Sequence, residues 1–291
     1  MLSDNDTGSP ALWLWVILLV SAYAEAVMVR RPVCPNPRIL HGGRMSAQYD
    51  AVAEQYDATF QAFPVRIYIE EWSVLKTLGD VQGKSVLELA TGTGHYARRM
   101  KQLGASRVVG VDLSPEMIGQ ARAAEERAPL DITYHVGDVS TLDLGETFDV
   151  VLAVYLLHYA PNAERLDAMA RTIARHLEPG GQLVTHQLNP DFSRAEGYYE
   201  RYGIRLYLPS DYPDGQAFSF SPVLGGVPWP PITLYYWHRA TLTAALERAG
   251  LTNVRWHEVT LDPRGIESHG AEHWQAYLDQ PHCVPIEATK V

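Results

Sequence analysis

From Lys84 onward the chain alternates short apolar runs with stretches of helical periodicity, the order that builds a mostly parallel sheet covered by helices. A first strand over 85–89 ends in Ala90-Thr91-Gly92-Thr93-Gly94, and Tyr96, Met100 and Leu103 then share one face of a helix that Gly104 stops. A second strand over 107–111 ends at Asp112. Ser114-Pro115-Glu116 follows as cap, first-turn proline and first-turn acid of a helix through Met117, Ile118 and Ala121. Residues 132–136 and 150–154 read as the third and fourth strands, both expected inside the sheet, the fourth because it is apolar throughout. Leu166, Met169, Ile173 and Leu177 mark a helix over 163–177, and Pro179-Gly180-Gly181 turns the chain into a fifth strand over 182–187. A last amphipathic helix over 241–249 closes at Gly250, with strands near 254–259 and 284–289 after it. The expectation is an α/β fold: a seven-stranded, mostly parallel sheet, helices on both faces, and an aromatic-rich insertion over 189–238 after the fifth strand.

Charge narrows the partners. The 291 residues carry a formal net charge of -10, a field that repels phosphate backbones, so no nucleic acid is expected. Cys34 and Cys283 stand alone without metal-ligand spacing; no metal site is expected, and a reducing, cytoplasmic location fits. Residues 11–24 are uncharged and mostly apolar, yet fall short of the roughly 20 residues that span a bilayer. They follow Asp4 and Asp6 where a secretory signal would carry positive charge. Residues 1–44 therefore read either as a weak anchor or as sequence upstream of a true start at Met45, and the working domain as 45–291. Tyr49, Tyr56, Phe60 and Phe63 lie along an expected helix that is either a lid or packing.

The turn after the first strand carries the chemistry. Gly92 and Gly94 let the backbone bend sharply and a ligand approach closely, where a Cβ would fill the ligand's volume. Glu88 can meet a ligand's ammonium, and would repel a pyrophosphate. Asp112, 20 residues after Gly92 at the end of the second strand, is placed to accept two hydrogen bonds from a ribose diol. Dehydrogenases share that acid, and Gly92-Thr93-Gly94-His95-Tyr96-Ala97 also satisfies the permissive dinucleotide pattern. Gly137-Asp138 after the third strand separates the two: it adds an acid where an adenine amine could donate. Three carboxylates favour a cationic amino-acid nucleoside.

With these residues the chain resembles the class I S-adenosylmethionine-dependent methyltransferases, over roughly 45–291. The family's acidic-x-Gly-x-Gly-x-Gly stands here as Glu88-Leu89-Ala90-Thr91-Gly92-Thr93-Gly94, with Ala90 at the first glycine. The resemblance implies a Rossmann-like sheet and S-adenosylmethionine contacts at Tyr49, Glu88, Ala90, Asp112, Leu113, Met117, Asp138, Val139 and near Val154. Thr91, Gly92, Gly94 and Gly137 complete the expected binding set. More narrowly, Tyr49-Asp50, Asn189-Pro190-Asp191-Phe192-Ser193 and Tyr236-Trp237-His238-Arg239-Ala240 are similar to the toxoflavin-type N-methyltransferases of azapteridine biosynthesis.

Methyl transfer from a sulfonium has a neutral leaving group, so alignment supplies most of the rate. A base is needed only where the acceptor must lose a proton first, and His158 is the first candidate, with Tyr159 and His186 beside it at the ends of the fourth and fifth strands. Tyr155, Tyr159 and the inserted aromatics favour a small, flat, heteroaromatic acceptor. The competing readings are a nicotinamide-dependent oxidoreductase and a non-catalytic S-adenosylmethionine-binding protein. Monomer and homodimer both remain open.

Overall fold

A helical stretch, Arg66–Glu71, wound as a π-helix, runs straight into α1 (Trp72–Leu78), which Gly79 ends at φ 70°. The computed structural model describes residues 63–224 and 227–291, so Tyr49 and the segment 1–62 lie outside the described residues. The alternation then follows in order: β1 (Ser85–Leu89), α2 (His95–Gln102), β2 (Arg107–Asp112), α3 (Pro115–Arg127), β3 (Ile132–Val136), β4 (Phe148–Val154), α4 (Ala163–Arg175) and β5 (Leu177–Leu188). The inserted region forms β6 (Ile204–Tyr207), β7 (Gln216–Leu224), β8 (Val227–Pro228) and β9 (Ile232–Tyr236). After it come α5 (Arg239–Arg248), β10 (Leu251–Trp256), α6 (Pro263–His269), α7 (Ala271–Asp279) and β11 (Cys283–Lys290).

Seven strands form one sheet in the order β10-β11-β5-β4-β1-β2-β3, parallel from β5 to β3, with β11 antiparallel to both its neighbours. Because side chains alternate along a strand, each central strand feeds two cores. Leu87, Leu89, Val109, Val111, Val151 and Ala153 pack with α4 and α5 on one face. Val86, Val108, Val150 and Leu152 pack with α1, α2 and α3 on the other. Each fully buried Val or Leu contributes about 1.5–3 kcal/mol, and this shared burial fixes the strand from which the turn after β1 departs. Ser114 caps α3 by accepting from the Met117 amide, and Asn162 caps α4 by accepting from Arg165. Both caps stand at the C-terminal edge of the sheet, where open α/β sheets bind ligands.

Four sequence expectations are corrected. β3 is an edge strand, not an interior one: it pairs with β2 alone, and Thr133, His135 and Val136 are exposed. α4 stops at Arg175, and β5 begins at Leu177 rather than 182, with a bulge across Glu178, Pro179, Gly180 and Gly181 where the pairing jumps from Phe148↔Leu177 to Val150↔Gln182. α5 is not the last helix. Asp262 accepts from the Arg264 amide with Pro263 in the first turn, starting α6, and α7 follows. The strand expected near 254–259 is shifted to Leu251–Trp256.

The insertion is a small antiparallel sheet, β7 pairing with β6, β8 and β9. Its Phe218, Ile232, Leu234 and Tyr236 form a third core with Phe192, Tyr202, Ile69 and, from α7, Trp274 and Tyr277. Among the described residues no helix is long and apolar enough to cross a membrane.

Candidate active site

The turn after β1 uses left-handed backbone three times, at Ala90 (φ 59°), Gly92 (φ 54°) and Gly94 (φ 82°). Ala90 bears a Cβ in that region, at a cost on the order of 1–2 kcal/mol that its surroundings must sustain. Asp112 ties the turn down: its Oδ2 accepts from the Gly92 amide at 2.8 Å and its Oδ1 from the Ser114 amide at 2.9 Å. A cavity opens beside this turn. Its wall includes Ala90, Gly92, Asp112, Leu113, Met117, Asp138, Val139 and Val154 from the expected set, together with Ser114, Tyr155, Leu156, Tyr159 and Met169.

Asp138 takes the Ser140 amide and hydroxyl on Oδ1, both at 2.9 Å, and the Arg165 guanidinium on Oδ2 at 2.5 Å. Partial burial alone would raise its pKa; the Ser140 hydrogen bonds and the Arg165 charge outweigh that and hold the carboxyl below the usual aspartate range. It is therefore ionised at neutral pH, with lone pairs left to accept a further donor. The wall thus combines apolar surface with two carboxylates at separate points and no cationic side chain. That set fits an apolar base, a sugar diol and a cation, the parts of S-adenosylmethionine, and suits a pyrophosphate poorly.

Glu88 is placed differently from the expectation. It is 2% exposed, takes the Thr91 hydroxyl at 2.5 Å, and does not reach the cavity wall. Burial, with the nearby Asp112 charge adding to it, pushes its pKa up to about 8 against the Thr91 hydrogen bond, so the group is largely protonated at neutral pH rather than a counter-ion. Thr91 is spent on Glu88 and on the Val111 carbonyl. Gly94 also stands off the wall: a Cβ there would sit 2.3 Å from the Tyr134 hydroxyl, so Gly94 makes room for a neighbouring side chain, not for a ligand. Gly137 donates to the Asp112 carbonyl at 2.8 Å, and a Cβ would press on Leu142 and Val111.

A second cavity adjoins the first through Tyr155 and Tyr159, which wall both. Phe63, Leu188, Ile204, Phe220, Trp229, Ile232 and Leu234 give it an apolar lining, with Arg66, His158, His282 and Cys283 as its polar members. The insertion thus lies over the ends of β4 and β5. His158 is on this wall. Burial drops its pKa to about 3, with the His282 and His186 rings contributing, so it stays neutral. The Leu188 amide can only donate and points at Nδ1 from 3.4 Å, which leaves the ring proton on Nε2. His158 is therefore a neutral imidazole on the wall of this cavity. His186 is 1% exposed and off both walls, packed edge-on to Tyr155 at 5.6 Å, and burial takes its pKa to about 3 as well.

Comparison with known proteins now bears on the first cavity. A family model described as "Methyltransferase domain" matches residues 86–181, the stretch from β1 into β5 that holds the turn, Asp112 and Asp138. The chain is an S-adenosylmethionine-dependent methyltransferase. This methyltransferase is 27% identical over 225 residues to a demethylmenaquinone methyltransferase of Tropheryma whipplei, covering 76% of the chain and 88% of the relative. It is 33% identical over 131 residues to a ubiquinone biosynthesis O-methyltransferase of Coxiella burnetii, covering 44% of the chain and 52% of the relative. Its fold is that of an S-adenosylmethionine-dependent methyltransferase from Mesorhizobium loti, with a TM-score of 0.56 at 23% identity, covering 76% of this chain and 97% of that one.

Sequence reasoning missed Leu156 and Met169 on the first wall and Arg66 and His282 on the second. Leu156 follows Val154 by two residues at the end of β4, a position within reach of the same rule that named Val154. Arg66 and His282 come from the two ends of the described chain and carry no local signal.

Proposed function

We propose that the acceptor of this small-molecule methyltransferase is a flat heteroaromatic metabolite, methylated on nitrogen or oxygen, of which the azapteridines are one class. The observation that supports this most is the second cavity: aromatic and aliphatic on nearly every side, it joins the first through two tyrosine rings. Its one formal cation, Arg66, is ion-paired with Glu70, and its histidines are neutral. Such a lining takes a planar apolar ring by stacking and leaves a solvated ammonium without a counter-charge. The names of the two relatives, one a demethylmenaquinone and one a ubiquinone-pathway enzyme, point to ring compounds of the same shape.

In this reading Asp112 holds the ribose hydroxyls and Asp138 the adenine amine of S-adenosylmethionine, which supplies an electrophilic methyl group on sulfur. Leu113, Met117 and Val139 provide apolar wall, and Tyr155 and Tyr159 set the boundary across which nucleophile and methyl meet. His158 orients the acceptor by donating from Nε2 to a carbonyl or ring nitrogen. Imidazoles with conjugate acids near pH 3 do not remove protons at neutral pH, so the nucleophile brings its own lone pair, as a ring nitrogen or an already ionised hydroxyl. Segment 189–238 acts as the lid of this cavity.

The test is incubation with S-adenosylmethionine and a panel containing an azapteridine, a quinol and an amino-sugar nucleotide, followed by mass spectrometry for products heavier by one methylene. Methylation of the ring compounds is expected; turnover of the amino sugar alone would sink the reading.

A further inference from the structure

Glu70 is a carboxylate that none of these roles uses, yet it is 3% exposed and holds three side chains. Its Oε2 accepts from the Tyr155 hydroxyl at 2.5 Å and its Oε1 from the Tyr96 hydroxyl at 3.1 Å. The Arg66 guanidinium lies against both oxygens at 3.4 and 3.5 Å. Each partner belongs to a different part of the site. Tyr155 walls both cavities, Arg66 walls the acceptor cavity, and Tyr96 opens α2 behind the glycine turn.

We propose that Glu70 is a positioning residue, whose hydrogen bond to Tyr155 fixes that ring at the boundary between the cofactor and acceptor cavities. The backbone alone does not do this. Tyr155 sits at φ 61°, which sets the direction of its Cα–Cβ bond and leaves the two side-chain torsions that aim the ring to the groups around it, the His158 and His186 rings and Glu70. A hydroxyl held at 2.5 Å by a carboxylate that is itself clamped by Arg66 removes that freedom. A packing role would not call for a carboxylate: burying a charge is costly, and an apolar side chain of similar length fills the same space with less penalty. The chain keeps the charge where it can aim a ring. The inference concerns the boundary itself and does not depend on which acceptor is methylated.

The experiment is a double-mutant cycle read by calorimetric titration with S-adenosylhomocysteine, which needs no acceptor. Glu70→Met and Tyr155→Phe are each expected to weaken binding about tenfold. Glu70→Gln, which keeps one accepting oxygen, should fall between Glu70→Met and the parent. The Glu70→Met, Tyr155→Phe double variant should bind no worse than the weaker single one, because both remove the same tether. Parent-like affinity in Glu70→Met, or losses that multiply in the double variant, would overturn the proposal. Should Glu70→Met not fold, Glu70→Gln with Tyr155→Phe closes the same cycle under the same two criteria.

Discussion

Asp112 and Gly92 are joined across 20 residues by a hydrogen bond of 2.8 Å, so the carboxylate that ends β2 holds the bend that ends β1. The other oxygen of Asp112 holds the Ser114 amide and with it the start of α3. Asp112→Ala therefore removes a charged acceptor from the cavity wall and frees two backbone amides together. S-adenosylmethionine binding should weaken by about 2–3 kcal/mol, a factor on the order of a hundred, as measured by titration calorimetry. Asp112→Asn offers an amide group to two amide donors and can satisfy only one of them, so it should recover only part of the loss. Unchanged affinity in both variants would remove Asp112 from the cofactor site.

Gly94→Ala tests whether the second glycine of the motif serves fold or ligand. Its Cβ would lie 2.3 Å from the Tyr134 hydroxyl, 2.8 Å from the ring carbon that bears it, and on backbone at φ 82°. Denaturant unfolding should show a loss of at least about 2 kcal/mol, the sum of left-handed strain and overpacking. Tyr134→Phe in the same chain should restore only a fraction, since ring carbons remain within 3.0 Å. A variant of full stability that fails to bind S-adenosylhomocysteine would instead return Gly94 to the ligand.

What was legible in the sequence was what periodicity and end signals carry. The strand runs ending at Leu89, Asp112 and Val154 sit where they were read, because their alternation feeds two cores at once. β3 was misplaced because an interior strand and an edge strand can share one short run, and only the exposure of Thr133, His135 and Val136 separates them. α6 and α7 were missed although Asp262-Pro263 is a helix-start signal, since seven- and nine-residue helices give periodicity too few turns to show. At the site, Asp112 and Asp138 follow from strand ends, whereas the roles of Glu88 and Gly94 depend on which side chain fills the space beside them. No spacing along the chain reports that Tyr134 fills it for Gly94. Nor does spacing report that Thr91 closes over Glu88.

Glu88 makes a prediction of opposite sign to most carboxylates. Burial raises its pKa to about 8 in the folded protein, so the folded state holds the proton more tightly than the unfolded chain does. Its contribution is fully present below the ordinary value of 4.5 and is lost as pH rises toward 8. Glu88→Gln, which keeps an oxygen for the Thr91 hydroxyl, should flatten the decline of unfolding free energy between pH 5 and 8, at up to about 1.4 kcal/mol per unit of pH. An unchanged slope in urea unfolding across that range would mean that Glu88 is ionised in the fold.

His158, His186 and His282 act the other way. Burial takes each to about pH 3, and the neighbouring rings add to this at His158 and His282, as the Arg66 charge does at His186. The unfolded chain protonates them near pH 6.5 while the folded protein refuses, so stability falls as pH drops through the window from about 6.5 to 3. Each ring contributes up to about 1.4 kcal/mol per unit of pH there, so the three together make acid unfolding steep. His186 serves best for the test, because it touches neither cavity and its Nδ1 is buried without a hydrogen-bond partner. His186→Leu should reduce the pH dependence of urea unfolding between pH 6.5 and 5 by about one proton, leaving that of His158 and His282 in place. The reason is the proton count: a side chain that never titrates in either state drops out of the difference. A slope that does not change would mean that His186 already takes up its proton within the fold.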